Sequence, residues 1–285
     1  MRDFFCAYET QTPFSFSRNT SIGCGGTATL AVFPKTQTEL VEIVAHLQEK
    51  NMRYAVVGKL TNTLPPDGET DTVIVSTTHM KGANEGYFSA GITGAELLAY
   101  CKTNGLYGAE FLYGIPCTLG GVLYMNAGVA GNYIAGITES VRILREGEIL
   151  DLPVDCCEYG YKTSVFMRNT DCIIGAKLRF QSANERMIDE AIAHYKERRK
   201  HLPKGKSMGC VFKNPENAVA GKLIEGAGLK GFRVGGAVVS ETHANFIIND
   251  KGATAMQVKC LINVIKRAVH AQYKIQLQEE IRYIT

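Results

Sequence analysis

Residues 113–131 read YGIPCTLGGVLYMNAGVAG, and the organisation of the chain turns on what this stretch is for. Gly114-Ile115-Pro116-Cys117-Thr118-Leu119-Gly120-Gly121 sets three glycines and a proline within eight residues. Glycine carries no Cβ, so such a loop can bring backbone N–H groups close to a phosphate or pyrophosphate. The same composition suits a tight turn between packed elements, and the residues alone leave both open. The loop lacks the Gly-Lys-Ser/Thr ending of a P-loop and the G-x-G-x-x-G of a Rossmann turn. Gly58-Lys59-Leu60-Thr61-Asn62, directly after a predicted strand, is a second place for a ligand to rest.

Outward from this loop, strands alternate with helices. TATLAVFP (27–34) predicts a strand ending at proline. Thr36 and Glu39 form a capping box for a helix with Leu40, Ile43, Val44 and Leu47 on one face. RYAVVG (53–58) and TVIVST (72–77) predict strands separated by the turn-rich LTNTLPPDG. YFSAGI (87–92) reads as a strand, followed by a helix capped by Thr93 and Glu96 and closed by Gly105. SVRILREGEILDLP (140–153) predicts a hairpin turning at Glu146-Gly147, and DCIIGAKLRF (171–180) a further strand. A helix over 184–201, burying Ile188, Ala191, Ile192 and Tyr195, reads as a domain connector. Beyond it come a helix around GKLIEGAG, a strand ANFIIN (244–249), and a helix over 252–273 showing Met256, Leu261, Ile265 and Val269. The closing strand puts Ile275, Leu277, Ile281 and Tyr283 on one face.

A length of 285 residues allows a sizeable core and more than one domain. The net charge of +3 is too small to indicate nucleic acid and is compatible with an anionic small molecule. The basic run Arg198, Arg199, Lys200, Lys204 and Lys206 reads as a solvated helix end. No stretch has the length of a signal peptide or a membrane span, so a cytoplasmic protein is expected. Nine cysteines, an odd number without a C-x-x-C pair, argue for reduced thiols and against a structural zinc site. No metal is expected.

Several ordered motifs remain. They are Asn19-Thr20…Gly25-Gly26, Gly114-Ile115-Pro116, Gly120-Gly121, Met125-Asn126-Ala127-Gly128, Tyr161-Lys162-x-Ser164-x-Phe166 and Gly209-Cys210-x-Phe212-Lys213-Asn214-Pro215. Gly228-Leu229-Lys230-Gly231, Val234-Gly235-Gly236, His243-Ala244-Asn245-Phe246 and Glu280-Ile281-Arg282 continue the series. Together they resemble the UDP-N-acetylenolpyruvoylglucosamine reductase family over nearly the whole chain, in its shorter type without the tyrosine-loop insertion. The resemblance implies an α+β protein: two N-terminal α/β subdomains (1–78 and 79–200) forming a PCMH-type FAD-binding module, and a C-terminal α+β substrate domain (201–285). The last strand is allowed to return to the first subdomain. FAD is the implied cofactor, NADPH the hydride donor and a UDP-sugar the substrate, in peptidoglycan precursor synthesis. No nucleic-acid or membrane partner is expected, and the chain is expected to be a monomer or weak dimer.

Roles carry over by position. The resemblance puts Gly58, Lys59, Thr61, Asn62, Gly114, Ile115, Pro116, Thr118, Gly120, Gly121, Asn126 and Gly128 on the cofactor. It puts Tyr161, Ser164, Lys213, Asn214, Arg233, His243 and Asn245 on the substrate. Cys210 stands where relatives carry a serine that protonates C2 of the enolpyruvyl group. An ordinary thiol, with a pKa of about 8.5, is mostly protonated at neutral pH yet far more acidic than an alcohol. A small buried cysteine is the competing reading, and Ser207 is an outside candidate for the same role. Glu280 is the implied assisting acid.

The chain also departs from the family pattern. Lys59 and Leu60 stand in a loop that is usually richer in glycine, and Cys117 replaces a glycine. A specialised or non-catalytic paralogue, another PCMH-type flavin oxidase and a plain nucleotide-binding module are the rival readings. Lys162 replaces an arginine expected on the substrate carboxylate; it keeps the charge and loses the bidentate fork. Lys162→Arg is therefore expected to lower KM for the enolpyruvyl substrate a few-fold without loss of kcat. Steady-state kinetics showing a higher KM with a lower kcat would contradict this.

Overall fold

Leu30 lies where the strand expected over 27–34 divides. Thr27–Ala28 and Ala31–Val32 are separate short strands with different partners. In this computed structural model, which describes residues 2–284, the two strands belong to different units. One unit takes the described residues up to 11, with 31–59 and 73–200; the other takes 12–30, 60–72 and 201 onward. Both expected N-terminal subdomains thus share one unit, and two of their segments fold with the C-terminal region instead. The cause is burial: Ile22, Cys24 and Leu64 pack in one apolar cluster with Val211, Leu261 and Ile265.

The first unit's larger sheets have four and five strands. Its four-stranded sheet runs in the order Thr10–Gln11, Ala31–Val32, Val73–Ser76, Tyr54–Val57. The last three of these strands are parallel. The intervening helix Gln37–Glu49 buries Leu40, Ile43, Val44 and Leu47, as its spacing predicts. Thr36 Oγ1 accepts the Glu39 N–H at 3.1 Å, whereas the Glu39 carboxylate accepts from Lys35 N–H. Only half of that expected box forms.

The five-stranded antiparallel sheet runs Glu148–Pro153, Thr138–Arg145, Cys172–Leu178, Tyr87–Ser89, Ala83–Asn84. Its hairpin turns at Glu146 (φ 51°) and Gly147 (φ 85°), the pair of positive φ values that a two-residue turn needs to match strand twist. The helix Gly94–Thr103 carries the complete capping box of Thr93 and Glu96. The helix Glu185–Arg199 buries Ile188; Ala191, Ile192 and Tyr195 are only half-buried.

In the second unit the helix Ala255–Tyr273 buries Val258, Leu261, Ile262, Ile265 and Val269. Met256, expected on that face, is 62% exposed. It sits in the helix's first turn, where its N–H meets the Asp67 carboxylate at 2.7 Å. The three-stranded sheet Arg233–Val234, Ala237–Val239, Ile247–Asn249 and the helix Ala220–Gly226 complete this core. The chain end is not one regular strand. Phe212 faces Glu279, whereas Arg282–Tyr283 pairs in parallel with Thr63–Leu64. The change of partner breaks the alternation: Leu277 and Ile281 are buried, Ile275 is half-buried and Tyr283 is exposed.

Asp67 accepts from two N–H groups of the Ala255–Tyr273 helix, Ala255 at 2.5 Å and Met256 at 2.7 Å. An anion at a helix start satisfies orphan donors and opposes the helix dipole. Asp67→Ala should lower stability by about 1–2 kcal/mol, and Asp67→Asn by less. Urea midpoints test this, and an unchanged alanine variant would refute it.

Candidate active site

In the second unit, Gly209 adopts φ 76° and delivers Cys210 into a short ladder. Cys210 bridges Phe246, and the Val211 N–H donates to Asn245 C=O at 2.8 Å. On the other side Glu280 N–H donates to Val211 C=O at 2.8 Å, and Lys213 N–H to Gln278 C=O at 2.9 Å. The Cys210 segment therefore runs between 245–246 and 278–280, with the Glu280 main chain beside Val211. Both Cys210 and Glu280 are half-buried. The neighbouring carboxylate is engaged elsewhere, since Glu279 is tied to Lys266 (2.8 Å) and to the Tyr283 hydroxyl (2.5 Å). Burial raises the Glu279 carboxyl, but Lys266 and Tyr283 outweigh it and hold the group below the usual carboxylate range.

Asn245, expected on the substrate, is 3% exposed, and its amide is bonded to the protein. Its Nδ2 donates to Phe212 C=O at 2.8 Å and its Oδ1 accepts Phe212 N–H at 2.9 Å. Asn62, expected on the cofactor, donates to Glu280 C=O at 3.1 Å and accepts Arg282 N–H on its own carbonyl. Thr61 C=O and Ser207 C=O lie 3.0 and 2.6 Å from the Ser21 hydroxyl. Asn214 Oδ1 accepts the Ala220 N–H at the start of the Ala220–Gly226 helix. Arg233 pairs with Asp250 at 2.6 Å, outside this ladder. The His243 ring meets Phe246 edge-on, and burial lowers its pKa below the ordinary histidine value. At neutral pH His243 is therefore an uncharged imidazole.

In the first unit the glycine loop is less open than its composition suggests. Ile115 N–H donates to Leu112 C=O, Cys117 to Ile115, Leu119 to Ile92 and Gly120 to Ala90, at 2.7–3.0 Å. These N–H groups, expected to face phosphate, are satisfied internally. Pro116 adds no donor, and Gly121 lies in the first turn of the helix Leu119–Met125. A different feature points to a bound group. Thr118 is 2% exposed, and its Oγ1 has no hydrogen-bond partner among the described residues. A Cβ on Gly58 would lie 2.2 Å from that hydroxyl, so only glycine fits at 58. A buried, unanswered hydroxyl over a bare α-carbon suits a polar nucleotide cofactor such as FAD.

Strain is also placed differently from expectation. Cys117 is not among the positive-φ residues; Gly114 (φ 68°) and Leu60 (φ 52°) are. The Cys117 thiol is buried beside Gly94, Leu112 and Leu119, and burial pushes it up to about 11. It is an apolar filler rather than a reactive group.

Asn126 and Ser164 belong to a frame. Asn126 (φ 41°) donates to Gly160 C=O at 2.8 Å and accepts Ala135 N–H, and the Ser164 hydroxyl donates to Tyr124 C=O at 2.6 Å. Gly128 pairs with Tyr133 in the adjoining two-stranded ladder. The frame pins the turn closed by reciprocal Gly160–Thr163 bonds, with Tyr161 and Lys162 at its tip. Ser164 and Asn126 are both buried in this frame.

Residues 28–152 match the family model of an FAD binding domain, and 200–284 that of the UDP-N-acetylenolpyruvoylglucosamine reductase C-terminal domain. The chain is thus a flavoprotein of the reductase class, with a flavin module and a dedicated C-terminal domain. A UDP-N-acetylenolpyruvoylglucosamine reductase from Geobacter metallireducens is 39% identical over 94% of this chain and 91% of its own. One from Pelobacter propionicus is 35% identical over 94% and 93%. The crystal structure of the Thermus caldophilus reductase superposes with a TM-score of 0.84 at 29% identity, covering 98% of this chain and 99% of that one. The chain belongs to the UDP-N-acetylenolpyruvoylglucosamine reductase family.

Sequence reasoning passed over Glu110, a carboxylate inside the apolar run before Gly114. It is 3% exposed; Oε2 accepts Gly108 N–H at 2.9 Å and Oε1 has no hydrogen-bond partner among the described residues. Burial raises its pKa above the usual carboxylate range. Below that range Glu110 is protonated whether the chain is folded or unfolded, and its contribution is intact. As pH climbs through the raised folded value, the unfolded chain ionises more readily and stability falls. Glu110→Gln should therefore match the wild type near pH 4 and be the more stable protein near pH 8. Urea midpoints at the two pH values check the sign, and a difference independent of pH would contradict it.

Proposed function

We infer that this chain is the FAD-dependent, NADPH-driven reductase that converts UDP-N-acetylglucosamine enolpyruvate to UDP-N-acetylmuramate. The observation that carries the reading is the ladder setting Cys210-Val211 against Glu280, in a chain of this family. Thr118 and Gly58, with the Gly114–Gly121 loop, would hold FAD, which when bound supplies hydride transfer from NADPH to C3 of the enolpyruvyl group. Negative charge then develops at C2. The Cys210 S–H donates its proton there, and the thiolate left behind is reprotonated from water. Lys162 stabilises charge on the substrate carboxylate as a point charge, and Glu280 assists protonation. Lys213 offers an ammonium to the substrate diphosphate.

No helix among the described residues is long and apolar enough to cross a membrane. The reading places the reaction in the cytoplasm, on a soluble precursor of peptidoglycan, with the protein acting as a monomer or weak dimer.

Anaerobic stopped-flow on the holoenzyme separates the two half-reactions. Cys210→Ala should bleach with NADPH at the wild-type rate. Its reoxidation by the UDP-sugar should slow by about 10²-fold or more, the usual effect of losing a general acid. Cys210→Ser should retain part of the rate. Normal reoxidation of the alanine variant would overturn the role of Cys210.

A further inference from the structure

The glycine loop holds most of its N–H groups in internal bonds, so the charge that meets a nucleotide's diphosphate must come from side chains. Two cations lie at the loop. Arg199 ends the helix Glu185–Arg199, and a Cβ built on Gly114 would fall 2.9 Å from its Nε and 3.2 Å from its Cδ. The glycine at 114 thus makes room for the guanidinium stem as well as allowing φ 68°. Lys59 follows Gly58, whose α-carbon abuts the Thr118 hydroxyl. Burial raises the Cys117 thiol, and the Lys59 and Arg199 charges pull against it, which brings both cations near residue 117. Thr118, next in sequence to Cys117, has a buried hydroxyl with no protein partner among the described residues.

We propose that Lys59 and Arg199 form a two-cation clamp for the diphosphate of the flavin nucleotide, with Thr118 Oγ1 as a third donor. The proposal rests on the FAD reading above and deepens it. It assigns Arg199, which composition placed on a solvated helix end, to cofactor binding. Guanidinium presents two parallel donors to phosphate oxygens, and lysine adds a mobile point charge. The clamp also accounts for a flavin loop poorer in glycine: side-chain charge takes over from main-chain N–H groups. Leu60, the residue after Lys59, is buried with φ 52°.

The test uses the full chain with its flavin removed, titrated with riboflavin, FMN and FAD by fluorescence quenching. Arg199→Met and Lys59→Met should each weaken FAD by about tenfold or more, the scale of one charge-assisted hydrogen bond. Riboflavin affinity should be unchanged, FMN should fall between, and the salt dependence of FAD binding should become shallower. Arg199→Lys should recover part of the loss. Equal weakening of riboflavin and FAD would mean a packing role for Arg199 and would overturn the clamp, as would unchanged FAD affinity in both methionine variants. A wild-type protein that binds none of the three flavins would overturn the FAD reading and the clamp together.

Discussion

The carboxamide of Asn245 bonds to both main-chain groups of Phe212, two residues beyond Cys210. Each bond is modest on its own. Removing the amide would leave a buried N–H and a buried C=O unanswered, at roughly 1–3 kcal/mol each. The Asn245 carbonyl takes the Val211 N–H as well, so one residue sets the height, direction and register of the Cys210 segment. Glu280 approaches Val211 from the other side, and Asn62 holds the Glu280 carbonyl. The main chains of Cys210 and Glu280 are thus brought to either side of Val211 through main-chain bonds.

The flavin module follows a related economy. Asn126 and Ser164 pin the turn bearing Tyr161 and Lys162, and internal bonds close the glycine loop. A rigid loop loses little entropy when a ligand arrives. Its glycines at 58 and 114 serve close approach, of Thr118 in one case and Arg199 in the other. The departures from the family pattern are then physically mild. Cys117 fills an apolar space at an ordinary backbone angle.

Much of the local structure was legible from spacing. The Thr93–Glu96 box, the Glu146-Gly147 turn and the apolar face of the Gln37–Glu49 helix all formed where the pattern put them. Periodicity failed where a segment changes partners. TATLAVFP reads as one strand but divides at Leu30, and the closing segment loses its alternation between Glu279 and Arg282. Met256 fits a helical stripe yet lies in the first turn, off the buried face of Ala255, Val258, Leu261 and Ile262.

The sequence by itself determined the family, the cofactor class and the identity of the donor candidate, because these depend on residue types in a fixed order. It also determined helices and hairpins whose signals are local: caps, turns and a repeat of 3.6 or 2. Tertiary structure alone decided what the amides do. An asparagine reads the same whether it meets a ligand or a main-chain group 33 residues away, as Asn245 meets Phe212. It also decided that 12–30 and 60–72 join the C-terminal unit, and that Arg199 stands over Gly114. Such contacts are set by burial between distant segments, and hydrophobicity in sequence carries no address for its partner.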